Sequence, residues 1–99
     1  MSHRCYNRLT IVGRKVDLKV FEKNTSWPKK FGARHRDLLE CSPARHAWQF
    51  ESDAPPLEPL QLLSTRYPLL TFLLEYDWAR KKGLAKAKNN QVVHHQVSY

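Results

Sequence analysis

Long hydrophobic runs are missing from this 99-residue chain. The densest apolar stretch, Leu69–Leu74, is strand-sized and far short of the roughly 18–20 residues that cross a bilayer, so no membrane association is expected. The opening Met1-Ser2-His3-Arg4-Cys5-Tyr6-Asn7 lacks the apolar core of a secretory leader, which makes a cytoplasmic location the expectation. Cysteine is scarce. Cys5 and Cys41 are the only two, and thiols in a reducing compartment stay free sooner than they build a disulfide framework. Glycine is scarce as well: Gly13, Gly32 and Gly83, no two closer than nineteen residues, rule out a Gly-rich phosphate cradle.

Acidic residues are outnumbered, 9 against 17 Lys and Arg, for a net charge of +8. The imbalance is segmental. Residues 1–36 hold ten basic side chains against Asp17 and Glu22, residues 37–79 hold seven acidic against Arg45 and Arg66, and the tail from Arg80 holds five basic and none acidic. Basic ends around an acidic middle allow surfaces of opposite sign. The length suits a single domain over residues 1–99.

Alternating strands and helices are predicted. Tyr6–Val12 alternates Leu9 and Ile11 against Arg8 and Thr10 and stops at Gly13, as a half-buried strand does. Val16, Val20 and Phe21 suit a short amphipathic helix over Lys15–Lys23. Asn24 to Pro28 then reads as a break, and Lys29–Arg36 as a basic loop. Two strands follow, Asp37–Ser42 and His46–Ser52, joined by Pro43-Ala44-Arg45. Ser52-Asp53-Ala54-Pro55-Pro56 opens a helix that runs to about Thr65 and buries Leu57, Leu60 and Leu63. Pro68 ends it, and Leu69–Tyr76 is the most apolar strand. Gly83–Lys88 and Gln91–Val97 form a hairpin about Asn89-Asn90, two residues tolerant of positive φ.

This order, β-α-β-β-α-β plus a hairpin, predicts an α+β, ferredoxin-like βαββαβ antiparallel sheet with two helices on one face and a C-terminal β-hairpin extension. The first strand then lies between the third and fourth, with the second at an edge. An intervening strand holds Cys5 and Cys41 roughly 9–10 Å apart, beyond the ~7 Å reach of a disulfide, so both thiols are expected free.

The segment Cys5-Tyr-Asn-Arg-Leu-Thr-Ile-Val-Gly13 resembles the Cys-x-Asn-x-Leu-x-Ile-x-Gly opening strand of the YubB-type ferredoxin-like domain of phage- and plasmid-encoded proteins. Phe50–Pro56, a strand leading into a Pro-Pro helix start, and Leu63-Ser64-Thr65-Arg66-Tyr67-Pro68 before an apolar strand and Glu75-Tyr76 extend the likeness over most of the chain. In the middle the chain departs from it, with Glu51-Ser52-Asp53 where the family often has a Thr-x-Trp segment. The resemblance implies a fold and a mobile-element origin, and no activity. Two cysteines cannot supply the four thiolates of an iron–sulfur cluster.

Four kinds of chemistry come into question. A metal site draws little support: His94 and His95 are adjacent in a strand and point to opposite faces, and Cys41 and His46 flank a turn that Cys5 or His3 could approach, without C-x-x-C or H-x₃-H spacing. No metal or cofactor is expected. For a nuclease, His35 between Arg34 and Arg36 is the one histidine in a cationic setting, which favours the neutral imidazole of a general base. Paired carboxylates and a phosphate loop are missing, so no enzymatic activity is expected. For nucleic-acid binding, the RNA-recognition signature is absent, and a face of Arg8, Thr10, Gln49, Glu51, Thr71 and Glu75 is a mixed platform. Two segments nevertheless set a Trp beside cations, Trp27-Pro28-Lys29-Lys30-Phe31 and Trp78-Ala79-Arg80-Lys81-Lys82, as where bases stack beside neutralised phosphates. Arg34 and Arg36 add to the first. For protein binding, the acidic middle, the open sheet face and an exposed edge strand are available. The sequence therefore favours a non-enzymatic accessory protein that binds nucleic acid through Trp27, Lys29, Lys30, Arg34, Arg36, Trp78, Arg80, Lys81 and Lys82. The alternative is a protein-binding module or inhibitor of a host defence complex.

Overall fold

The computed structural model describes residues 4–24 and 26–98. Six strands, β1 (Cys5–Val12), β2 (Arg34–Ser42), β3 (Arg45–Ser52), β4 (Thr71–Trp78), β5 (Lys81–Lys88) and β6 (Gln91–Ser98), form one antiparallel sheet in the order β2-β3-β1-β4-β5-β6. Three short helices accompany it: α1 (Lys15–Glu22), α2 (Trp27–Lys30) and α3 (Leu57–Arg66). About half of the described residues are strand.

The ferredoxin-like expectation is therefore corrected. This is a six-stranded sheet with three helices, not a two-helix βαββαβ fold carrying an appended hairpin. Two local causes account for the difference. Trp27-Pro28 does not break the chain but opens a helical turn, with proline in the first turn where its missing N–H costs nothing. The last two strands are integral to the sheet, because β5 pairs along its whole length with β4, from Phe72↔Ala87 to Trp78↔Lys81. The far turn is also tied down. Asn89 and Asn90 adopt positive φ as anticipated, and Asn90 is held against α3: its N–H donates to Ser64 Oγ at 3.0 Å, its side chain accepts from Thr65 Oγ1 at 2.9 Å, and its carbonyl accepts from Gln61 Nε2 at 3.2 Å.

One face of the sheet is buried beneath the helices. Leu9 and Ile11 of β1, Phe50 of β3, Phe72 and Leu74 of β4 and Ala85 and Ala87 of β5 pack against Leu18 and Phe21, Trp27 and Phe31, and Leu60 and Leu63. On α1 the core stripe is Leu18 and Phe21, while Val16 and Val20, expected inside, are 58% and 54% exposed. The helix is rotated from the anticipated register because Phe21 is caught among Trp27, Tyr67 and Phe72. Strand-three register is settled by Leu9↔Trp48 and Asn7↔Phe50: both aromatics face the helices.

Tyr76 crosses Gly83, its partner on β5, to share a 2.6 Å hydrogen bond with His94 of β6. A Cβ at Gly83 would overlap the tyrosine ring. Both cysteines are free. Cys5 and Cys41 have β3 between them and also lie about 20 Å apart along the strands, since Cys41 is level with Ile11 rather than with Cys5. Among the described residues no helix is long and apolar enough to cross a membrane.

Candidate functional site

The uncovered face of the sheet is set by strand parity. In one row across it stand Arg34, Glu51, Tyr6, Asp77, Lys82 and Val97, and in the next Asp37, Gln49, Arg8, Glu75, Leu84 and His95. The twist of the sheet makes a shallow hollow of about 630 Å³ here, centred on Tyr6, Arg8, Glu75, Lys82, Leu84 and His95. Tyr6 is 58% exposed and Leu84 48%. Val93 and Val97 of β6 add further exposed apolar surface. Lys82, Lys86 and Lys88 stand on the same side of β5, whereas Glu75 and Asp77 face them from β4. The open face is thus basic and apolar over β5 and β6, acidic along β4 and of mixed charge toward β2.

The two edges of the sheet differ. β2 carries Arg34, Arg36, Asp37 and Glu40, and its pairing with β3 is interrupted by two register shifts, between Arg34 and Asp37 and between Leu38 and Glu40. Charges and bulges are the usual protection of an edge against a stray strand. β6 has neither. Its eight residues, Gln91-Val92-Val93-His94-His95-Gln96-Val97-Ser98, include no Lys, Arg, Asp, Glu or Pro, and its pairing with β5 is regular from Lys88↔Gln91 to Lys81↔Ser98. Among the described residues no strand lies on its other side.

The residues singled out from the sequence do not form one site. Trp27 is only 5% exposed, with its ring among Phe31, Trp48 and Phe50, so it is a core residue and is not presented to a base. Lys29 and Lys30 are exposed at the end of α2, and Lys30 borders a groove shared with Glu58, Leu62 and Arg66 of α3. Arg34 forms a 2.6 Å ion pair with Asp53, and Arg36 is exposed. These lie in β2, not in a loop. Trp78 is half-buried at the end of β4, with the Lys81 ammonium 5.8 Å from its ring centre, and its indole N–H is buried with no hydrogen-bond partner among the described residues. Arg80 lies in the β4–β5 turn, where Ala79 and Arg80 both adopt positive φ, 50° and 62°. That backbone costs non-glycine residues of the order of 1 kcal/mol each. Arg34 and Asp77 share a row across four strands, so Arg34 and the end of β4 lie at the same end of the sheet about 14 Å apart.

His35 is exposed in β2 with φ 53°. His94 faces the helix side beside Tyr76 and His95 lines the open hollow, on opposite faces as adjacent strand residues must be. Cys41 and His46 are direct cross-strand partners. Cys5 is at the other end of the sheet, and His3 lies outside the described residues. On the buried side, the Cys5 thiol donates to Asn7 Oδ1 at 3.3 Å and Asn7 Nδ2 donates to Ser52 Oγ at 2.9 Å. Burial pushes the Cys5 thiol up to about 11, although the Ser52 and Asn7 hydrogen bonds pull the other way.

Tyr6, Leu84, Lys86, Lys88 and His95 were missing from the sequence-derived site, which reached β5 only through Lys81 and Lys82. Tyr6 shares its parity with Arg8 and Thr10, so its exposure was present in the alternation. Adding Lys86 and Lys88 needed knowledge that β5 joins β4.

The candidate site is thus a sheet face of mixed charge beside a regularly paired, uncharged edge strand. Comparison of the chain with family models, with curated proteins and with solved structures finds no match.

Proposed function

We propose that the chain is a non-enzymatic protein-binding module that accepts an extended protein segment along β6, with the partner's side chains reaching over the open face. The observation that carries this reading is the contrast between the two edges, one charged and bulged, the other eight residues long, regular and uncharged. A segment added to β6 gains backbone hydrogen bonds irrespective of its sequence, and side chains on alternate positions give specificity. Leu84, Val93 and Val97 supply apolar contact, and Lys82, Lys86 and Lys88 favour acidic residues on the partner. On the resemblance of its opening strand, we place it among accessory proteins of phages and plasmids.

Nucleic acid is the second reading, favoured by the three lysines on one side of β5 and by Arg80 and Lys81 in the preceding turn. Of its two aromatic residues only the half-buried Trp78 remains, now that Trp27 is part of the core.

The two are separated by capture from host lysate with and without nuclease treatment, followed by cross-link mapping on the bait. A protein partner cross-linked to residues 84–98, retained after nuclease and lost in the Val93→Lys/Val97→Lys variant, supports the first. Captured nucleic acid, released by salt and indifferent to those substitutions, overturns it in favour of the second.

A further inference from the structure

Three potential metal ligands meet on the helix side of the sheet, far from β6. Glu22 ends α1, Cys41 lies in β2 and His46 in β3, and a carboxylate oxygen, Sγ and an imidazole nitrogen from them all fall within 4.8 Å of one another. The strands bring Cys41 and His46 together as cross-strand partners, and the C-terminal end of α1 places Glu22 beside them. His46 Nε2 is 3.3 Å from Glu22 Oε1, long for a charge-assisted hydrogen bond. It equals the N···O edge of a tetrahedron, about 3.3–3.4 Å, around an ion bound at about 2.0–2.1 Å from each atom. The corresponding edges to a thiolate at about 2.3 Å are about 3.5–3.6 Å. Closing the remaining gap takes rotation of Cys41 and Glu22, both exposed.

We infer that Glu22, Cys41 and His46 form a binding site for a zinc-like divalent cation. Thiolate, imidazole and carboxylate together suit Zn²⁺ and are the wrong donors for Mg²⁺ or Ca²⁺. The three ligands line a cavity of about 90 Å³, walled by Phe21, Trp27, Leu38 and Trp48. That volume holds an ion and a water, so water takes the fourth position. Binding deprotonates Cys41 and releases one proton per ion, while His46 coordinates through its neutral ring. Two anionic ligands and a divalent cation leave the site without net charge. The ion clips α1 to the β2–β3 hairpin and stiffens the protected edge of the sheet. Sequence spacing hid this site because its three members are nineteen and five residues apart and belong to separate elements.

Metal-free protein, kept reduced, is titrated with Co²⁺ and then with Zn²⁺. The expected result is one Co²⁺ per chain with the intense visible bands of tetrahedral coordination and a near-ultraviolet thiolate-to-cobalt band, both removed by one equivalent of Zn²⁺. Cys41→Ser removes the thiolate band, Cys41→Ser and Glu22→Gln each weaken binding by at least about tenfold, and Cys5→Ser changes neither. Circular dichroism checks that these variants remain folded. A weak six-coordinate spectrum, a thiolate band that survives Cys41→Ser, or no cobalt bound overturns the inference. Loss of β6 binding in the lysate experiment leaves it untouched, since β6 is five strands from β2.

Discussion

Replacing Trp27 with alanine separates a core residue from a base-stacking platform. The ring meets Phe21, Phe31, Trp48 and Phe50 at centroid distances of 5.4–6.4 Å and is almost fully buried. Truncating a buried Trp or Phe costs about 3–5 kcal/mol, and the three edge-to-face contacts with Phe31, Trp48 and Phe50 place Trp27 in the upper part of that range. A domain of this length holds roughly 5–15 kcal/mol in all, so the variant should fold but lose much of its margin. With a urea m-value of about 1.5 kcal/mol per molar, the midpoint falls by roughly 2–3 M at unchanged m. Trp27→Phe, which keeps part of the aromatic packing, should lose less than half as much. Urea unfolding followed by circular dichroism reads both. A midpoint within ~0.3 M of the parent for Trp27→Ala would refute the core assignment and return the ring to solvent and to the nucleic-acid reading.

Other expectations follow from the same geometry. Maleimide should modify Cys41 in the folded protein and leave Cys5 unmodified until urea is added, without any need for reductant; modification of both at equal rates contradicts the burial of Cys5. The folded state holds the Cys5 proton up to about 11 against an ordinary value of 9.0, so its contribution is complete below pH 9 and is lost as pH rises toward 11. That amounts to about 2–3 kcal/mol, and the loss should be absent from the alkaline limb of the stability profile of Cys5→Ala. Gly83→Ala should push Tyr76 off His94 and destabilise the sheet by about 1–3 kcal/mol, visible in thermal melts; an unchanged melting temperature would show that the ring relocates freely. If nucleic acid is the partner after all, Lys29, Lys30, Arg80, Lys81 and Lys82 set a log–log salt slope of roughly −3 to −4 on single strands, and replacing Lys29 and Lys30 should flatten it by one to two units.

The sequence was informative where chemistry is local. Alternation about Leu9 and Ile11 located β1 and its buried face, Pro55-Pro56 opened α3, and Asn89-Asn90 marked the last turn. It was silent where a neighbour decides. Ala79-Arg80 has none of the residues that favour positive φ, so the β4–β5 hairpin was invisible, and Lys81 and Lys82 were read beside Trp78 without a strand face shared with Lys86 and Lys88. Val16 and Val20 fit a helical stripe as well as Leu18 and Phe21 do, and only the surrounding aromatics choose between them. Arg34 extends β2 back from Asp37 opposite Glu51 while pairing with Asp53, nineteen residues away in the chain. Glu22, Cys41 and His46 become a set only through the packing of three elements.

If β6 accepts a strand as proposed, the unequal edges also set how many partners one molecule takes. An assembly grows without limit when each member offers two complementary ends, and it stops when each offers one. Bulges and charges guard β2 against an added strand, so on the proposed reading the sheet takes one strand, along β6. Any strand donor, whether a foreign segment or a second copy turned about a two-fold axis, would then use up the one unguarded edge among the described residues. The uncharged strand proposed to take a partner would thereby be kept from seeding a fibre, by charges that lie at the far edge of the sheet.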